Sequence, residues 1–503
     1  MNHYLLGVDI GTQGTKTCLY DVSGQLIASA FEASNLIMKG PGMCEQDPHE
    51  IYGSVVRTVK SVVEQSGAHA SQILALGMDG QMAGILGVDA QCQPVTPYDS
   101  WLDTRCEPQI EWMKRTAGER VLQITGAPVT YAHGPKILWW KQNQPEAYRR
   151  IAKFILPTTY VAAQLCGLRA EDTYLDYTCA HFSGYADIRN LVWSQELLEV
   201  FQVEEGKLPA IVAPWKIVGT LTDEAARACG LAAGMPVCAG AGDQAATSLG
   251  AGIVRPGLAF DVAGTASVFA CCVSQYTPDV KHRTILFARS VLPDLWIPLG
   301  YINGGGLCVR WIRDVLAGND PAVTYDALAE EARRVAPGSD QLLFVPHFGG
   351  RVCPNDPYVR GSFTGLNYQH TRAHMYRAVL ESIGYEYRLY QDILSDISGN
   401  RAAKEIYCIG GGSKSALFNQ IKADILGVPY TTLDMNDTGT LGAAIIAGYA
   451  IGAYRSMAET ADSMIKKVVT ISPGTCTSLT YTKMSQRYRD LIEILRAFFQ
   501  KGA

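Results

Sequence analysis

Apolar residues follow two periods along this chain, one typical of buried strands and one typical of amphipathic helices. Short apolar runs such as residues 73–77 (ILALG) predict buried strands. Residues 48–67 and 371–397 place apolar side chains three and four positions apart, which predicts helices that bury one face. Because such strands and helices alternate in both halves of the chain, the pattern predicts an α/β fold.

One polar motif occurs twice within this pattern, near the start of the chain and again at its middle. Residues 5–21 (LLGVDIGTQGTKTCLYD) and 260–267 (FDVAGTAS) each place an aspartate, Asp9 or Asp261, near the end of an apolar strand and ahead of a Gly-Thr turn. Such a turn exposes backbone N–H groups and hydroxyls that bind phosphate, and the neighbouring carboxylate can hold the Mg²⁺ that accompanies phosphates. The repeat predicts a duplicated fold with a nucleotide clamped between its halves. Two unrelated tight hairpins are the alternative.

An acidic residue among small residues is the first candidate for chemistry. Asp243 lies in residues 239–249 (AGAGDQAATSL), where backbone can approach a ligand closely and no bulky side chain shields the carboxylate. This setting predicts a general base. The alternative is that Asp243 caps a helix beginning at about Gln244, because aspartate is a favoured N-cap residue.

Two polar insertions predict a ligand pocket. Residues 79–81 (DGQ) separate two apolar strands and form either a turn or the floor of a pocket. In residues 98–105 (YDSWLDTR), an extended backbone would point Trp101, Asp103 and Arg105 the same way. Aromatic faces with carboxylates suit a polyhydroxylated ligand. An exposed ion pair beside a core tryptophan is the alternative.

Composition narrows the class of protein. The chain has 503 residues, 48% hydrophobic and 18% charged, which predicts a globular protein of at least two domains. The best boundary is the Gly- and Pro-containing stretch 250–256. A net charge of -5 without any basic run argues against nucleic-acid binding. We expect a cytoplasmic protein with no signal peptide, no membrane span and fourteen reduced cysteines that form no zinc site.

Further motifs give the chain a family resemblance. They occur in the order DIGTQGTK (9–16), YAHGPKILWWKQN (131–143), GDQ (242–244), GTAS (264–267), GSFTGLNYQHTRAHMYRAVLE (361–381) and GGGS (410–413). With these motifs the chain resembles the FGGY carbohydrate kinases across nearly its whole length, and among them it is most similar to the xylulokinases. The resemblance implies two ribonuclease-H-like domains of the actin, Hsp70 and hexokinase type, with sugar and ATP meeting in a cleft between them. Residues 1–250 would bind the sugar and carry the base, and residues 251–503 would bind the nucleotide.

The resemblance also implies an activity and the residues that perform it. The activity is Mg²⁺- and ATP-dependent phosphorylation of a terminal hydroxyl of a small sugar, with Asp243 as general base and Asp9 as the carboxylate positioned for Mg²⁺-ATP. The sugar-binding positions would be Gln81, Met82, Ala83, Trp101, Asp103, Tyr131, Asp243 and Gln244. The ATP-binding positions would be Thr12, Thr15, Lys16, Gly264, Thr265, Gly306, Arg310, Gly411, Gly412 and Ser415. The partners would be the small sugar and ATP, with neither nucleic acid nor membrane, and likeness to relatives implies a homodimer.

Two departures from the family pattern keep the identity of the sugar open. Ala83 stands where the similar kinases have a histidine, and Gly350 stands where a glutamate is common. A xylulose-like ketopentose, another ketose, an aldonate and a polyol therefore all stay open. A further departure, His133 where a small residue or proline is usual, lies in the N-terminal family signature. Two functions of other classes are alternatives, a sugar-independent ATPase like actin or Hsp70 and a sugar-binding pseudokinase.

Overall fold

The computed structural model describes residues 3–318, 320–399, 403–434 and 437–501. The chain divides into two compact units that do not correspond to a single cut in the sequence. The first unit contains the residues up to Val254 together with residues 287–296 and 437–465, and the second contains residues 255–286, 297–436 and those from 466 onward. The division into functional domains 1–250 and 251–503 stays a prediction.

The part of the chain up to residue 254 supplies most of the first unit. Its strands are β1 (Tyr4–Ile10), β2 (Gly14–Asp21), β3 (Leu26–Ala33), β4 (Ile37–Gly40), β5 (Met43–Gln46), β6 (Ile73–Gly80), β7 (Leu86–Val88), β8 (Tyr98–Asp99), β9 (Lys153–Ile155), β10 (Tyr174–Asp176), β11 (Ala186–Asp187), β12 (Val192–Trp193), β13 (Ala210–Val212), β14 (Ile217–Thr220), β15 (Pro236–Cys238) and β16 (Ala241–Gly242). Its helices are α1 (Pro48–Ser66), α2 (Glu107–Thr125), α3 (His133–Asn143), α4 (Pro145–Arg150), α5 (Pro157–Cys166), α6 (Gln195–Phe201), α7 (Asp223–Cys229) and α8 (Asp243–Gly250).

The rest of the chain alternates strands and helices in the same way. Its strands are β17 (Leu258–Ala263), β18 (Ser267–Cys271), β19 (Leu286–Arg289), β20 (Trp296–Ile302), β21 (Leu343–Val345), β22 (Arg351–Val352), β23 (Asn355–Asp356), β24 (Ser362–Thr364), β25 (Glu405–Ile409), β26 (Tyr430–Leu433) and β27 (Lys467–Ile471). Its helices are α9 (Gly305–Ala317), α10 (Tyr325–Arg333), α11 (Arg372–Ser398), α12 (Ala416–Leu426), α13 (Thr438–Ala450), α14 (Met457–Met464) and α15 (Ser478–Gln500).

The sheet of the first unit has the strand order β14-β15-β6-β1-β2-β3, and β16 also pairs with β6. Alternate residues of β1, such as Leu6 and Val8, belong to the hydrophobic core that includes Val55 of α1. The opposite face of β1 meets α13, where a Cβ atom at Gly7 would lie 1.9 Å from the carbonyl oxygen of Thr440. This close approach explains why α13, although late in the sequence, belongs to the first unit.

The sheet of the second unit repeats the local topology of the first. Its strands run in the order β20-β18-β17-β25-β26-β27. Strand β17 pairs antiparallel with β18 and parallel with β25, just as β1 pairs antiparallel with β2 and parallel with β6. The two predicted hairpins and the α/β fold are therefore confirmed.

Four further expectations can be compared with the structure. The predicted helices 48–67 and 371–397 are observed as α1 and α11. The extended conformation that would point Trp101, Asp103 and Arg105 the same way is not observed, because only Tyr98–Asp99 forms a strand and residues 101–102 and 105–106 are turns. All fourteen cysteines lie among the described residues and are free. Within the described residues, no helix is both long and apolar enough to cross a membrane.

Candidate active site

The ends of β1 and β6 bring two carboxylates together. The parallel register places Asp9 beside Asp79. Two residues before each aspartate, and on the same face of the sheet, a glycine (Gly7 or Gly77) packs closely against α13. Asp79 is fully buried, and neither of its oxygens nor Oδ1 of Asp9 receives a hydrogen bond from the described part of the chain. A Cβ atom at Gly439, in the first turn of α13, would lie 3.3 Å from Oδ1 of Asp79. The partial positive charge at that helix N-terminus therefore lies next to the carboxylates.

The electrostatics of this pair favour protonation. Burial raises the pKa of Asp9 to about 6, although its interactions with the neighbouring Asp79 side chain and with the Lys16 ammonium lower it. Burial also raises the pKa of Asp79 well above its usual range, and the carboxylates of Asp9 and Asp243 raise it further. Lys16 compensates little of this charge, because its ammonium forms an ion pair with Asp437.

Asp243 lies at the start of α8, as its first helical residue. Gly242 is the N-cap, and Oδ1 of Asp243 accepts a hydrogen bond of 2.6 Å from the backbone N–H of the adjacent Gln244. The alternative that Asp243 itself caps the helix is therefore wrong, because the extended cap position is occupied by glycine. Asp243 is partly exposed, but it is closely surrounded by protein. Burial and the Asp9 carboxylate raise its pKa to about 7, while the Gln244 N–H opposes the rise.

A chain of hydrogen bonds links the first hairpin to the predicted sugar positions. Nε1 of Trp101 donates to Oγ1 of Thr12 at 2.8 Å, and the Thr12 hydroxyl donates to Oε1 of Gln81 at 3.1 Å. Nε2 of Gln81 then donates to Oε1 of Gln46 at 2.9 Å. The structure thus joins the Gly-Thr turn, the strand end and the tryptophan loop, which are far apart in sequence.

The side chain of Met82 lies next to the segment that carries Asp243. A Cβ atom at Gly242 would be 2.5 Å from Cε of Met82. The carbonyl of Met82 is 2.6 Å from Nε2 of the buried His133, and Ala83 is partly exposed. Position 83 lacks the histidine of the similar kinases, but another histidine, His133, contacts the carbonyl of the preceding residue.

Two other predicted sugar positions have protein partners in this structure. Asp103 has no exposed surface, and its Oδ2 accepts from the backbone N–H of Cys44 at 2.8 Å and from Nε of Arg105 at 2.9 Å. The hydroxyl of Tyr131 donates to the Glu107 carboxylate. As sugar ligands both stay predictions, and the burial of Asp103 favours a supporting role for it.

The predicted phosphate contacts of the first hairpin differ in exposure. Thr12 is partly exposed at the turn, whereas Thr15 is 1% exposed and its Oγ1 lies 2.6 Å from Oγ of Ser54. Lys16 is partly exposed beside its partner Asp437. Thr12 and Lys16 are therefore better placed than Thr15 to contact an anion.

In the second unit, three glycine-rich turns meet. A Cβ atom at Gly306 would lie 1.9 Å from the carbonyl oxygen of Gly264, and one at Gly412 would lie 2.7 Å from Cβ of Ala263. Of the other predicted nucleotide positions, Thr265, Arg310 and Gly411 are exposed, and Ser415 caps α12 through its Oγ. The convergence leaves backbone N–H groups at the starts of α9 and α12, where phosphate binds favourably.

The carboxylate of Asp9 fits the hard oxygen chemistry that Mg²⁺ prefers. Its Oδ1 is buried without a hydrogen-bond donor among the described residues. No set of three or more histidine, cysteine, aspartate or glutamate side chains in the described ranges is arranged to hold a metal by itself. Such an arrangement suits an ion that arrives with phosphate oxygens and water.

Sequence reasoning missed several residues that the structure places at this site. Asp79 was part of a predicted turn or pocket floor, but its burial beside Asp9 depends on strand register. Thr178 and Asp176 lie in a polar stretch without any motif, yet Thr178 contacts the segment before Asp243 and Asp176 accepts a hydrogen bond from Thr178. Asp437 gave no sequence signal either, because its contact with Lys16 joins residues 421 positions apart.

Comparisons with known proteins support a single family. The model of the N-terminal domain of the FGGY family of carbohydrate kinases matches residues 4–250, and that of the C-terminal domain matches residues 260–451. The xylulose kinase of Escherichia coli (strain K12) is 30% identical over 460 residues, which are 90% of this chain and 91% of that protein. The gluconokinase of Bacillus subtilis (strain 168) is 29% identical over 476 residues, which are 92% of this chain and 90% of that protein.

Solved structures give the same result. The gluconate kinase from Lactobacillus acidophilus has a TM-score of 0.92 and 26% identity, with 100% of both chains covered. The fold and the family resemblance predicted from the motifs are thereby confirmed.

Proposed function

This chain belongs to the FGGY family of carbohydrate kinases, which transfer phosphate from ATP to a sugar, and we propose that its sugar is a ketopentose such as xylulose. We propose Asp243 as the general base of this reaction. One observation carries the proposal. Asp243 is a partly exposed carboxylate with a pKa of about 7, and the residue before it, Gly242, lies against the side chain of Met82. A base whose pKa lies near the working pH combines a useful unprotonated fraction with a strong tendency to accept a proton.

The proposed reaction is direct in-line transfer to a terminal hydroxyl. Asp243 accepts the hydroxyl proton as the sugar oxygen attacks the terminal phosphorus of ATP. Gln244 stands next to the base, and its Oε1 is buried without a donor from the described residues. This oxygen is free to accept a hydrogen bond from a sugar hydroxyl. Phosphoryl transfer depends mainly on positioning and charge, so this small set of groups suffices.

Asp9 and the hydroxyl-lined turn support the phosphate side of the reaction. Asp9 would hold Mg²⁺, which when bound neutralises phosphate charge. The hydroxyl of Thr12 and the ammonium of Lys16 would approach the phosphate oxygens. In the second unit, the backbone N–H groups near Gly306 and Gly412 would bind the nucleotide.

A second candidate substrate is an aldonate such as gluconate. The observation that favours it is the similarity to gluconokinase, in sequence and in structure, at a level comparable with that to xylulose kinase. Ala83 also removes one hydrogen-bonding side chain at a position where the similar ketopentose kinases have histidine. An alanine at position 83 is therefore compatible with a differently shaped acceptor.

The test is ADP formation from Mg²⁺-ATP with a panel of ketopentoses, ketohexoses, aldonates and polyols. We expect xylulose to raise the rate of ADP formation far above the rate without sugar. A larger increase with gluconate would replace xylulose by the aldonate. Equal ATP turnover with every compound and with none would contradict sugar phosphorylation.

Two variants test the base in the same assay. Asp243→Ala should lower kcat by about 1,000-fold or more, because proton removal then depends on water. Asp223→Ala is the matched control, since Asp223 is also the first residue of a helix but is exposed on α7. Wild-type turnover by Asp243→Ala would exclude the assignment.

A further inference from the structure

A buried threonine holds the backbone that carries Asp243. Thr178 has no exposed surface, and its Oγ1 accepts a hydrogen bond of 2.9 Å from the backbone N–H of Gly242. Gly242 is the N-cap of α8 and directly precedes Asp243. The contact therefore acts one residue away from the proposed base.

The orientation of the Thr178 hydroxyl is fixed by a second residue. The Thr178 hydroxyl donates to Oδ1 of Asp176, which also accepts the backbone N–H of Thr178 at 3.0 Å. A hydroxyl has a single proton, so donation to Asp176 leaves lone pairs to face Gly242. Both side chains are buried, where hydrogen bonds are strong and an unmade one is costly. Asp176 thus sets the orientation in which Thr178 accepts from Gly242.

The loop that carries this pair has its own anchors. Asp176 ends β10, which pairs in parallel with β13 at Val212. Between the two residues, the Tyr177 backbone N–H donates to the Val212 carbonyl at 3.0 Å and its hydroxyl donates to the Val291 carbonyl at 2.6 Å. The position of Thr178 is therefore determined by contacts that do not involve α8.

We infer that Thr178, oriented by Asp176, is a positioning residue that sets where the Asp243 carboxylate meets the acceptor hydroxyl. The inference rests on the proposed role of Asp243 as base. Reacting groups displaced by about 1 Å can lose about 100-fold in rate. Loss of the Thr178 hydroxyl should therefore lower kcat far more than it weakens sugar binding, because most of the predicted sugar-binding positions lie outside the segment that Thr178 holds.

The test compares Thr178→Val, which keeps the shape without the hydroxyl, with Thr178→Ser, which keeps the hydroxyl. With the sugar identified by the panel, Thr178→Val should lower kcat about 30- to 100-fold and change the calorimetric Kd for the sugar by less than about twofold. Thr178→Ser should return kcat to within about threefold of the wild type. Backbone amide exchange in residues 241–244 should be faster in Thr178→Val than in Thr178→Ser.

Thr178→Ala takes the place of Thr178→Val if the latter does not fold. Three results would overturn the inference. They are an unchanged kcat in the variant without the hydroxyl, equal losses of kcat in the valine and serine variants, and a loss of sugar affinity as large as the loss of kcat. Asp243→Ala separates this inference from the proposed function. If Asp243→Ala keeps full turnover, the base assignment fails and the inference fails with it. If Asp243→Ala is inactive while Thr178→Val is fully active, only the positioning role fails.

Discussion

Asp9 and Asp261 stand near the ends of matching strands in two hairpins of the same topology, but only one of them has a buried cation. Each lies on a strand with one antiparallel and one parallel neighbour. Asp261 is fully buried, forms an ion pair with Lys422 and accepts a hydrogen bond of 2.8 Å from the Tyr387 hydroxyl. Asp9 instead has a second carboxylate, Asp79, as its parallel neighbour.

This difference distinguishes a structural carboxylate from a reactive one. The Asp261 charge is satisfied within the protein, and Lys422 keeps its own proton because the Asp261 carboxylate outweighs the effect of burial and raises the pKa of the ammonium. Within the described ranges, the cation that lowers the pKa of Asp9 is Lys16, which is already paired with Asp437. Clustered carboxylates with raised pKa values reduce stability, and proteins retain such arrangements mainly at functional sites.

The largest effect should come from removing the cation of the second hairpin. Lys422→Met leaves the buried Asp261 charge without its partner, which should lower the free energy of unfolding by about 3–5 kcal/mol. Urea denaturation followed by circular dichroism measures this change. The double variant Asp261→Asn with Lys422→Met should regain most of the loss, because no charge is then left buried. A wild-type midpoint for Lys422→Met would mean that the pair contributes nothing.

The matched change in the first hairpin should affect turnover instead. Asp9→Asn should lower kcat about 100- to 1,000-fold, as expected when an electrostatic group is lost at a reacting centre. Its unfolding temperature should not fall, because the substitution removes repulsion with Asp79. Asp261→Asn is the control and should show the reverse, a lower unfolding temperature with kcat nearly unchanged. If Asp9→Asn and Asp261→Asn lose stability equally, the comparison between the hairpins is wrong.

From the sequence alone, the two hairpins look equivalent, and the difference between Asp9 and Asp261 cannot be predicted. Strand and helix periodicity predicted both hairpins, α1 and α11, and the small residues around Asp243 singled out the candidate base. The pairing of Asp261 with Lys422 joins positions 161 residues apart, and that of Gly242 with Thr178 joins positions 64 apart. Contacts of this range depend on tertiary packing, which no local pattern encodes.

Side-chain direction could not be predicted where buried polar contacts determine the local conformation. Trp101 and Asp103 would point the same way only if residues 98–105 were extended. Instead, the Asp103 carboxylate accepts hydrogen bonds from Cys44 and Arg105, and the chain turns to make these bonds. The same residues remained recognisable by type, but their direction could not be read from alternation.

The pH dependence of turnover should reveal the unpaired carboxylates. Asp243 must be unprotonated to accept a proton, and its pKa is about 7, so kcat/KM should fall about tenfold for each pH unit below this value. Asp9, with a pKa of about 6, titrates in the same range. The acid limb of the pH profile, where kcat/KM falls, therefore reports the titration of Asp9 and Asp243 together. Initial rates between about pH 5 and pH 8 would measure it.

The same profile in two variants sharpens the comparison. Because the Asp9 carboxylate raises the pKa of Asp243, Asp9→Asn should move the acid limb to lower pH. Asp261→Asn should leave the limb in place, since Asp261 does not contribute to that pKa shift. An unmoved limb in Asp9→Asn would argue against electrostatic coupling between the two aspartates.

The smallest expected effect is a gain in stability. The folded-state pKa of Asp79 lies well above 3.8, so between these values the folded state holds more protons and the free energy of unfolding falls as pH rises. Asp79→Asn stays neutral, and its amide can donate to Asp9, so at about pH 8 it should raise the free energy of unfolding by about 1 kcal/mol. At about pH 4, where Asp79 holds its proton, the gain should disappear.

Asp103→Asn, which removes a buried partner of Arg105, should instead destabilise the protein. A loss of stability in Asp79→Asn at high pH would mean that the N-terminus of α13 compensates the Asp79 charge, and that the first hairpin is less different from the second than its missing cation indicates.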